Sequence, residues 1–513
     1  MRCVAGLGLL ALAGCNQIFG IAETRQFDAA IDVPADMPHV VLDWQVAQLL
    51  PSGAPDPVIR FAPIDPAPQV RIATLDGGFD SDPTSYSTSD GWIPIPRSYL
   101  GATWRLEYRL ADGIAHEVQW APDDKQGHLT VPLFGRVAPA RVPQGSGYSI
   151  TPSGAPGYTY PRLLTTGLWT DAQVTPGAGT TIDFDFYNAT PLSGQKGAPD
   201  PALGDHALLV DYILDNAGTS ATNCLIAVGS AELASAALEA GHLTVQTPPW
   251  DGGRKPALGA TVLLPTLARF GTALPRLATS LDPNYSRVLL GAAASTDAPG
   301  LVDSPMAERL AMALPIPMMA TLLRCPYATN PLPPTTKPKL LDSLPRVLNV
   351  QLVYPRKVLN ATLMSGMETT LVATGTQNGF TMAFPAPLPR AITLTPPGGS
   401  AVDLAGDTDQ LAIGPATGAF TLAFSLESGT DLRADYYDVV LHKITGGALT
   451  TERIYTVTAP TVRVDSAQLS PGDDYVFEIR SYKGHPRAGH GDFAAVDYPY
   501  GATIVFTRTF KTS

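Results

Sequence analysis

The density of turn-forming residues is the feature that most constrains how this chain can fold. Its 513 residues include 47 glycines and 49 prolines. Proline removes a backbone donor and breaks helix interiors, and glycine inside a helix costs about 1 kcal/mol relative to alanine. The chain therefore favours short strands joined by turns over long helices.

Length and charge narrow the class of protein further. At roughly 100–200 residues per domain, a chain of 513 residues suggests about three domains. Charged residues make up 16% of the chain, against about 25% in a typical domain, and the net charge is -12. The sequence holds no cluster of lysine and arginine that could follow a phosphate backbone, so no nucleic-acid partner is expected.

Between residues 39 and 135, strand-like segments recur at a spacing of roughly ten residues, which is typical of a β-sandwich. The clearest alternation places Trp104, Leu106 and Tyr108 on one face and Arg105, Glu107 and Arg109 on the other. This pattern predicts a half-buried strand with its charged face in water. The region resembles prealbumin-like sandwiches of exported bacterial proteins, which implies an N-terminal β-sandwich domain over 39–135.

The central region, 136–385, also consists mainly of strand-like segments and is expected to hold one or two domains. Two segments within it are predicted to be helical. The first has Ser230 as a possible N-cap and Gly241 as a stop, and the second has Ser304 as a cap followed by Pro305 in the first turn.

The C-terminal region carries the sharpest indication of fold. The segment LSPGDDYVFEI resembles the corner of fibronectin type III domains, with Leu469, Pro471 and Gly472 forming the turn and Tyr475 opening the next strand. The resemblance implies a fibronectin type III-like domain over 386–513, in which the tyrosine hydroxyl bonds to upstream backbone. The segment lacks the early tryptophan usual in such domains, and a generic immunoglobulin-like sandwich is the alternative. The predicted fold class is therefore mainly β, multidomain, and built of β-sandwich domains.

The first fourteen residues have the pattern of an export signal, because a positive Arg2 is followed by an apolar run and then by small residues. The segment LAGC, residues 12–15, resembles the lipobox of bacterial lipoproteins. This resemblance implies removal of residues 1–14, lipidation of Cys15 and a tether over 15–38 that ends in a membrane anchor. Asn16 favours the outer membrane over the inner one. The alternative is an ordinary secretory signal in which Cys15 has no role.

Two cysteines remain in the body of the protein, Cys224 and Cys325. A single pair of cysteines in an oxidising compartment favours a disulfide between them. Two buried free thiols are the alternative.

Motifs of common exported enzymes are missing from the sequence. It contains no G-x-S-x-G elbow and no H-E-x-x-H pair, so no catalytic residue, metal ligand or cofactor is assigned. His485, His490 and Asp492 lie in the loop expected between the last two strands, where they form a possible binding loop; plain solvation of that loop is the alternative.

The combination of a lipobox with a fibronectin-like end resembles lipoproteins of high-GC bacteria such as myxobacteria. It predicts a membrane-anchored lipoprotein of the cell envelope that acts as a binding or scaffolding module for a protein or glycan ligand. The alternative is an envelope-anchored hydrolase or carbohydrate-active enzyme with its site in the central region. The residues favour the non-enzymatic protein.

Overall fold

The structure, a computed structural model, describes the strands and turns of one compact unit, Pro38–Ser513. Backbone is described for residues 39–48, 58–61, 69–79, 92–94, 103–109, 114–120, 126–134, 147–152, 162–165, 168–171, 182–185, 190–191, 207–215, 224–233, 245–247, 257–262, 287–293, 302–308, 321–326, 346–373, 379–382, 384–405, 410–414, 418–427, 433–493, 497 and 499–512. Side chains are described for residues 70–79, 103–109, 114–120, 356–369, 384–405, 410–414, 418–427, 433–493, 497 and 499–512.

Almost all of the described backbone forms β-strands. The strands before residue 265 are β1 (His39–Gln48), β2 (Val58–Phe61), β3 (Gln69–Thr74), β4 (Trp92–Pro94), β5 (Trp104–Arg109), β6 (Ala115–Trp120), β7 (Gln126–Phe134), β8 (Gly147–Pro152), β9 (Arg162–Thr165), β10 (Leu168–Asp171), β11 (Ile182–Asp185), β12 (Thr190–Pro191), β13 (Ala207–Asp215), β14 (Cys224–Leu233), β15 (Val245–Thr247) and β16 (Ala257–Val262).

The later strands are β17 (Arg287–Ala293), β18 (Val302–Glu308), β19 (Thr321–Pro326), β20 (Arg346–Val358), β21 (Ala361–Ala373), β22 (Gly379–Met382), β23 (Pro389–Thr395), β24 (Val402–Asp403), β25 (Leu411–Ile413), β26 (Ala419–Leu426), β27 (Tyr436–Thr445), β28 (Ala448–Val457), β29 (Thr461–Asp465), β30 (Asp474–Lys483), β31 (Tyr500–Phe506) and β32 (Phe510–Thr512). Short 3₁₀ turns cover Ser466–Gln468 and Ala488–His490. Among the described residues, no helix is long and apolar enough to cross a bilayer.

These strands form one large sheet and several smaller ones. The large sheet follows the order β18-β17-β20-β21-β31-β30-β27-β28-β6-β5-β3, with β25 and β32 paired beside it. The smaller sheets are β2-β1-β4 with β7 on β1, β12-β10-β9-β13-β14, β11-β8-β15, β19-β16-β22, and β24-β23-β26-β29. The predicted class, mainly β with sandwich domains, is confirmed. The predicted domain boundaries stay predictions, and the large sheet draws strands from all three of the predicted domains.

The C-terminal region is a sandwich of the sheet β24-β23-β26-β29 against the strands β28, β27, β30 and β31 of the large sheet. Its strands alternate buried and exposed residues, as β26 does along AFTLAFSL. Across the interior, the rings of Phe424 and Tyr437 meet edge to face at 5.1 Å between centroids. Phe420, Leu422 and Phe477 are fully buried. The apolar face of each sheet is thus covered by the other, which is the main source of stability in such folds.

The predicted corner forms as expected. Gly472 has a φ of 83°, a conformation that an L side chain rarely adopts, and this turn leads directly into β30. The backbone N–H of Ser470 donates to the hydroxyl oxygen of Tyr475 at 2.8 Å, and the Tyr475 ring is buried against Phe510. The predicted β-sandwich and its tyrosine corner are therefore confirmed, and the resemblance of this region to fibronectin type III or immunoglobulin-like domains stays a prediction.

The two predicted helices are wrong where the structure describes them. Ser230 lies in β14, paired with Val210 of β13. Ser304 and Pro305 lie in β18, at a shift of register against β17, and a bulge of this kind accommodates a residue without an N–H. Pairing with a neighbouring strand outweighs local helix propensity at both places, because a propensity differs by only tenths of a kcal/mol per residue.

The prediction of a half-buried strand at residues 103–109 is also wrong. Trp104 and Leu106 are buried as expected, but Arg105 and Glu107 on the opposite face are equally buried, with 0% and 2% exposure. The reason is tertiary: the face that alternation assigned to water lies against the C-terminal sandwich.

Candidate functional site: the junction of β5 and β6 with the C-terminal sandwich

Strands β5 and β6 extend the sheet of the C-terminal sandwich. β6 pairs in parallel with β28, with Ala115 opposite Arg453 and Gln119 opposite Val457. β5 pairs antiparallel with β6 and continues the sheet. Because successive side chains of a strand point to opposite faces, Glu117 and Gln119 face the same side as Tyr455 of β28. We call this contact between β5–β6 and strands β28 and β29 the junction.

Charged side chains fill the junction. We call them the junction cluster: Arg71, Arg105, Glu107, Glu117, Arg453 and Asp465. The Arg453 Nη1 lies 2.5 Å from Glu107 Oε2 and 2.9 Å from Glu117 Oε2. The Arg105 Nη1 lies 2.7 Å from Asp465 Oδ2 and 3.3 Å from Glu117 Oε1. Three guanidinium groups thus face three carboxylates in an alternating arrangement.

Arg71 and Arg105 make further contacts at the edge of the cluster. The Arg71 guanidinium pairs with Glu107, its Nε donating at 2.9 Å. The Arg105 Nη2 donates to the backbone carbonyl of Gly77 at 2.5 Å, and its guanidinium lies over the Phe79 ring at 4.3 Å from the centroid. Arginine suits such a site because its planar fork bonds several acceptors and stacks on rings.

The two central carboxylates respond differently to burial. Burial by itself raises the pKa of Glu107, but the charges and hydrogen bonds of Arg453 and Arg71 outweigh that effect and hold this pKa below its usual value. Burial raises the pKa of Glu117 above its usual value, and the charges of Arg105 and Arg453 offset only part of the rise. The charge of Glu117 is therefore less well compensated than that of Glu107.

Gln119 connects β6 to the opposite sheet of the sandwich. Its amide nitrogen donates to the backbone carbonyl of Arg463 at 2.8 Å, and its amide oxygen accepts from the Arg463 N–H at 3.0 Å. The side chain thereby pairs with the outer edge of β29 as a neighbouring strand would. One strand, β6, thus satisfies edge groups of both sheets, through its backbone on β28 and through Gln119 on β29.

The predicted binding loop, residues 484–493, is held in place at its base. The Asp435 carboxylate accepts from the backbone N–H of Gly484 at 2.8 Å and of His485 at 2.7 Å, and pairs with Lys483 at 2.8 Å. Burial by itself raises the pKa of Asp435, but these hydrogen bonds and the Lys483 charge outweigh that effect, so its pKa lies below the usual value. Trp120 of β6 donates to the Gly489 carbonyl at 3.1 Å and connects the loop to the junction.

The three residues predicted for this loop are not brought together. His485 is buried, its Nδ1 lies 3.1 Å from the Phe493 carbonyl, and its ring packs edge to face on Tyr436. His490 is exposed at the end of the 3₁₀ turn. Asp492 pairs with Arg487 at 2.8 Å. In the part of the chain with described side chains, no group of three potential ligands is arranged to hold a metal ion.

A second polar group lies on the other face of the sandwich sheet. The His442 Nε2 is 2.8 Å from Glu478 Oε2, and its Nδ1 is 3.3 Å from the Thr451 hydroxyl. Burial by itself raises the pKa of Glu478, but the hydrogen bond from His442 and the charge of Arg480 outweigh it, so this pKa is about 2. Glu478 is thus a fixed anion that orients the His442 ring.

His116 is a third titratable group at this end of the sheet. Its ring stacks on Tyr108 with 5.0 Å between centroids, and its Nε2 is buried with no hydrogen-bond partner among the described residues. Burial and the nearby Arg453 charge lower its pKa to about 4. His116 is therefore neutral at ordinary pH.

The other predicted site residues are not tested by the structure. Cys15 lies outside the described residues, and Cys224 and Cys325 are described only as backbone of β14 and β19. The lipid and the disulfide accordingly stay predictions.

Sequence reasoning missed the junction cluster. The sequence did hold one signal for it: polar residues recur at every second position in two neighbouring segments, Arg105 and Glu107 in the first and Glu117 and Gln119 in the second. When two adjacent strands carry charged residues on the same face, that face is covered either by water or by a second charged surface. Arg453 and Asp465, which supply that surface, are far away in the chain.

Comparison with known proteins gives no family for this chain. No protein-family model and no curated protein matches it. Among solved structures, trypsin-activated alpha-2-macroglobulin from Escherichia coli aligns with 91% of this chain and 29% of its own, at 11% identity and a TM-score of 0.14. Salmonella alpha-2-macroglobulin reacted with methylamine aligns with 88% and 38%, at 8% identity and a TM-score of 0.11. The chain thus spans about a third of the length of these proteins.

Proposed function

We propose that this protein is an exported lipoprotein, acylated at Cys15 and held at the outer membrane, whose β-sandwich body is a binding or scaffolding module. The binding element is the 484–493 loop. The single observation that carries this proposal is the way the loop is built. Asp435 holds its first residues, an aromatic group lies beneath it, and the side chains of Arg487 and His490 are exposed on it.

Such a loop is suited to recognition because little conformational entropy remains to be lost on binding. The aromatic group supports it from below: Tyr436 stacks on Tyr482 at 4.5 Å and meets Phe493 at 5.1 Å between centroids. Arg487 keeps 54% of its side chain exposed even while paired with Asp492. Guanidinium and imidazole groups favour an acidic protein surface or a glycan that carries carboxylates.

The lipid part of the proposal is tested by Cys15→Ser. We expect the variant to move from the detergent phase to the aqueous phase on phase partitioning and to lose incorporation of labelled palmitate. Cys3→Ser is the matched control and leaves both properties unchanged, because Cys3 precedes the cleavage point. Full detergent partitioning of Cys15→Ser would contradict the anchor.

The binding part is tested by Arg487→Ala/His490→Ala in the full chain. The probes are purified peptidoglycan sacculi and detergent-extracted outer-membrane proteins, each in a co-sedimentation assay. We expect the double variant to lose binding to one probe while its thermal unfolding is unchanged. Arg390→Ala, an exposed site on β23, is the control. Equal binding by the variant and the parent chain would remove the loop from the proposal.

The alternative function, a hydrolase or carbohydrate-active enzyme with its site at 136–385, stays a prediction. Over most of that region the structure describes strands without side chains, so no contact there supports a reaction.

A further inference from the structure

We propose that Thr451, His442 and Glu478 form a nucleophilic centre that takes an acyl group from small carboxylic esters and then releases it to water. The centre lies on the outer face of the sandwich sheet, which is the face turned away from the junction cluster. This inference goes beyond the proposed binding function and does not depend on it, because it uses no residue of the 484–493 loop.

The three side chains form a chain of hydrogen bonds that runs from a carboxylate through an imidazole to a hydroxyl. The Glu478 Oε2 lies 2.8 Å from His442 Nε2, and His442 Nδ1 lies 3.3 Å from Thr451 Oγ1. Hydroxyl nucleophiles are activated by this arrangement, in which a base contacts the nucleophile and a third group orients the base. Such contacts are often long before a substrate binds and tighten in its complex.

The charge of Glu478 decides which imidazole nitrogen carries the hydrogen. With a pKa of about 2, this carboxylate is ionised at ordinary pH and can only accept hydrogen bonds. The hydrogen of the neutral His442 ring therefore lies on Nε2, and the Nδ1 lone pair accepts from the Thr451 hydroxyl. His442 is thus oriented to take the proton of that hydroxyl.

A bulge in β28 brings Thr451 to His442. Arg453 lies opposite Leu441 and Thr451 lies opposite His442, so Glu452 is an extra residue between them. In a regular ladder Glu452 would face His442, and Thr451 would point to the other face of the sheet. Bulges re-aim side chains in this way and are frequent next to active sites.

Exposure to solvent decreases from the nucleophile to the group that orients the base. Thr451 is half-buried, whereas His442 and Glu478 are buried, with 7% and 5% exposure. A reagent from solution therefore reaches the hydroxyl first. The contact between the imidazole and the carboxylate is protected from water, so it keeps the ring in one orientation.

Apolar side chains beside Thr451 indicate which acyl group fits. Leu449 is two positions earlier in β28 and so lies on the same face, where it is half-buried against an apolar cluster that includes Ile444 and Phe506. The Phe506 ring also stacks on His442, with 5.8 Å between centroids. These neighbours favour a short apolar acyl group over a charged one, because a charged group would lose hydration without a partner.

The reaction balances with water as the second substrate. The Thr451 oxygen forms a bond to the ester carbonyl carbon, and its proton passes to His442 Nδ1. The bond between that carbon and the alcohol oxygen then breaks, and the alcohol leaves with the proton. Water attacks the acyl-threonine with the same help from His442, which yields the carboxylic acid and restores the hydroxyl.

The test uses the full chain with p-nitrophenyl butyrate as substrate and a fluorophosphonate as covalent probe, which loses fluoride as it phosphonylates an activated hydroxyl. We expect ester hydrolysis and a single adduct on Thr451, located by mass spectrometry in the tryptic peptide 444–453. Thr451→Val should remove the adduct, and Thr451→Ser should keep it. His442→Gln should slow hydrolysis by roughly 10²–10⁴-fold, the usual contribution of a positioned base.

Thr450→Val is the matched control, because Thr450 lies in the same peptide but is exposed and points to the other face of β28. It should leave hydrolysis and labelling unchanged. Unfolding midpoints are measured for every variant, and if His442→Gln does not fold, the two Thr451 variants decide, since each alters a single small group at a half-buried position. Absence of an adduct, an adduct at another residue, or equal labelling of Thr451→Val and the parent chain would overturn the proposal.

Discussion

The interior of the C-terminal sandwich and the junction lie on the same face of the large sheet, yet opposite kinds of side chain fill them. On β27 and β30, this face presents Val439 opposite Ile479, both fully buried. On β5 and β6 it presents Glu107 opposite Glu117, at 2% and 0% exposure. Tyr455 of β28 lies between the two regions.

The difference shows how stability and specificity are divided over one surface. Apolar burial is favourable in proportion to area and depends little on direction. A buried ion-pair cluster contributes little net stability, because desolvation offsets attraction, but it makes incorrect pairings costly. A slip of β6 by one residue along β28 would place Glu117 on the opposite, apolar face and bring His116 or Val118 into the cluster.

Removal of the central charge of the junction cluster, that of Arg453, should cause the largest loss of stability and so tests most directly whether the junction differs from the apolar interior. Arg453→Met leaves Glu107 and Glu117 buried without their shared counter-ion, so we expect the free energy of unfolding to fall by about 3–5 kcal/mol. Urea denaturation of the full chain measures this change. Arg390→Met, at an exposed position, is the control and should change the midpoint little. A loss below about 1 kcal/mol for Arg453→Met would mean that the cluster is not desolvated as described.

The apolar region should respond to volume rather than to charge. Leu422→Ala removes buried methyl groups and leaves a cavity, which costs about 2–5 kcal/mol, whereas Leu422→Met keeps the volume and should cost less than about 1.5 kcal/mol. By contrast, Arg453→Lys keeps the charge but loses the forked contacts with both carboxylates. We expect it to lower the free energy of unfolding almost as much as Arg453→Met does. The measurement is the denaturation midpoint of each of the four variants, two at Leu422 and two at Arg453. If the lysine variant equals the parent chain, the two regions do not differ as proposed.

His116 should make stability depend on pH at the edge of the junction. Its pKa of about 4 in the folded protein lies below the ordinary value of 6.5, so the unfolded chain binds the proton more readily. Its contribution is present above pH 6.5 and is lost as the pH falls toward 4, by on the order of 2–3 kcal/mol. Denaturation of the parent chain and of His116→Phe at pH 7.5 and pH 4.5 tests this. Parallel losses in both proteins would assign the pH effect to other groups.

A buried hydroxyl in the apolar region gives the smallest effect. Ser481 is fully buried, and its hydroxyl has no hydrogen-bond partner among the described residues. Ser481→Ala removes the cost of that burial, so we expect unchanged or increased stability, by up to about 1 kcal/mol. Thr503→Val is the matched comparison, because the Thr503 hydroxyl donates to the Pro387 carbonyl at 2.7 Å, and its loss should destabilise. Thermal unfolding of both variants is the measurement, and a clear loss of stability for Ser481→Ala would mean that the Ser481 hydroxyl forms a stabilising hydrogen bond.

The features of the candidate site differ in how far apart in the sequence their contacting residues lie, and this distance decides whether the sequence could predict them. The corner at Tyr475 was predictable because its hydrogen bond spans five positions, from Ser470. The 484–493 loop was expected between the last two strands, and it lies between β30 and β31 with the short β32 following. The inward turn of His485 depends on Asp435, 50 positions away. The junction depends on contacts over several hundred positions, and no pattern within a window of ten residues distinguishes a charged face in water from one in a cluster.

The sequence by itself determined that this protein is built of short strands and that its C-terminal region is a sandwich with a tyrosine corner. These features depend on turns, alternation and contacts between near neighbours. Only the tertiary structure decided that Ser230 and Ser304 lie in strands, that β5 is buried on both faces, and that β6 closes the edge of β28. Those outcomes depend on which distant segment becomes the neighbour, because the pairing of strands and of buried charges is made between residues that the chain brings together only when it folds.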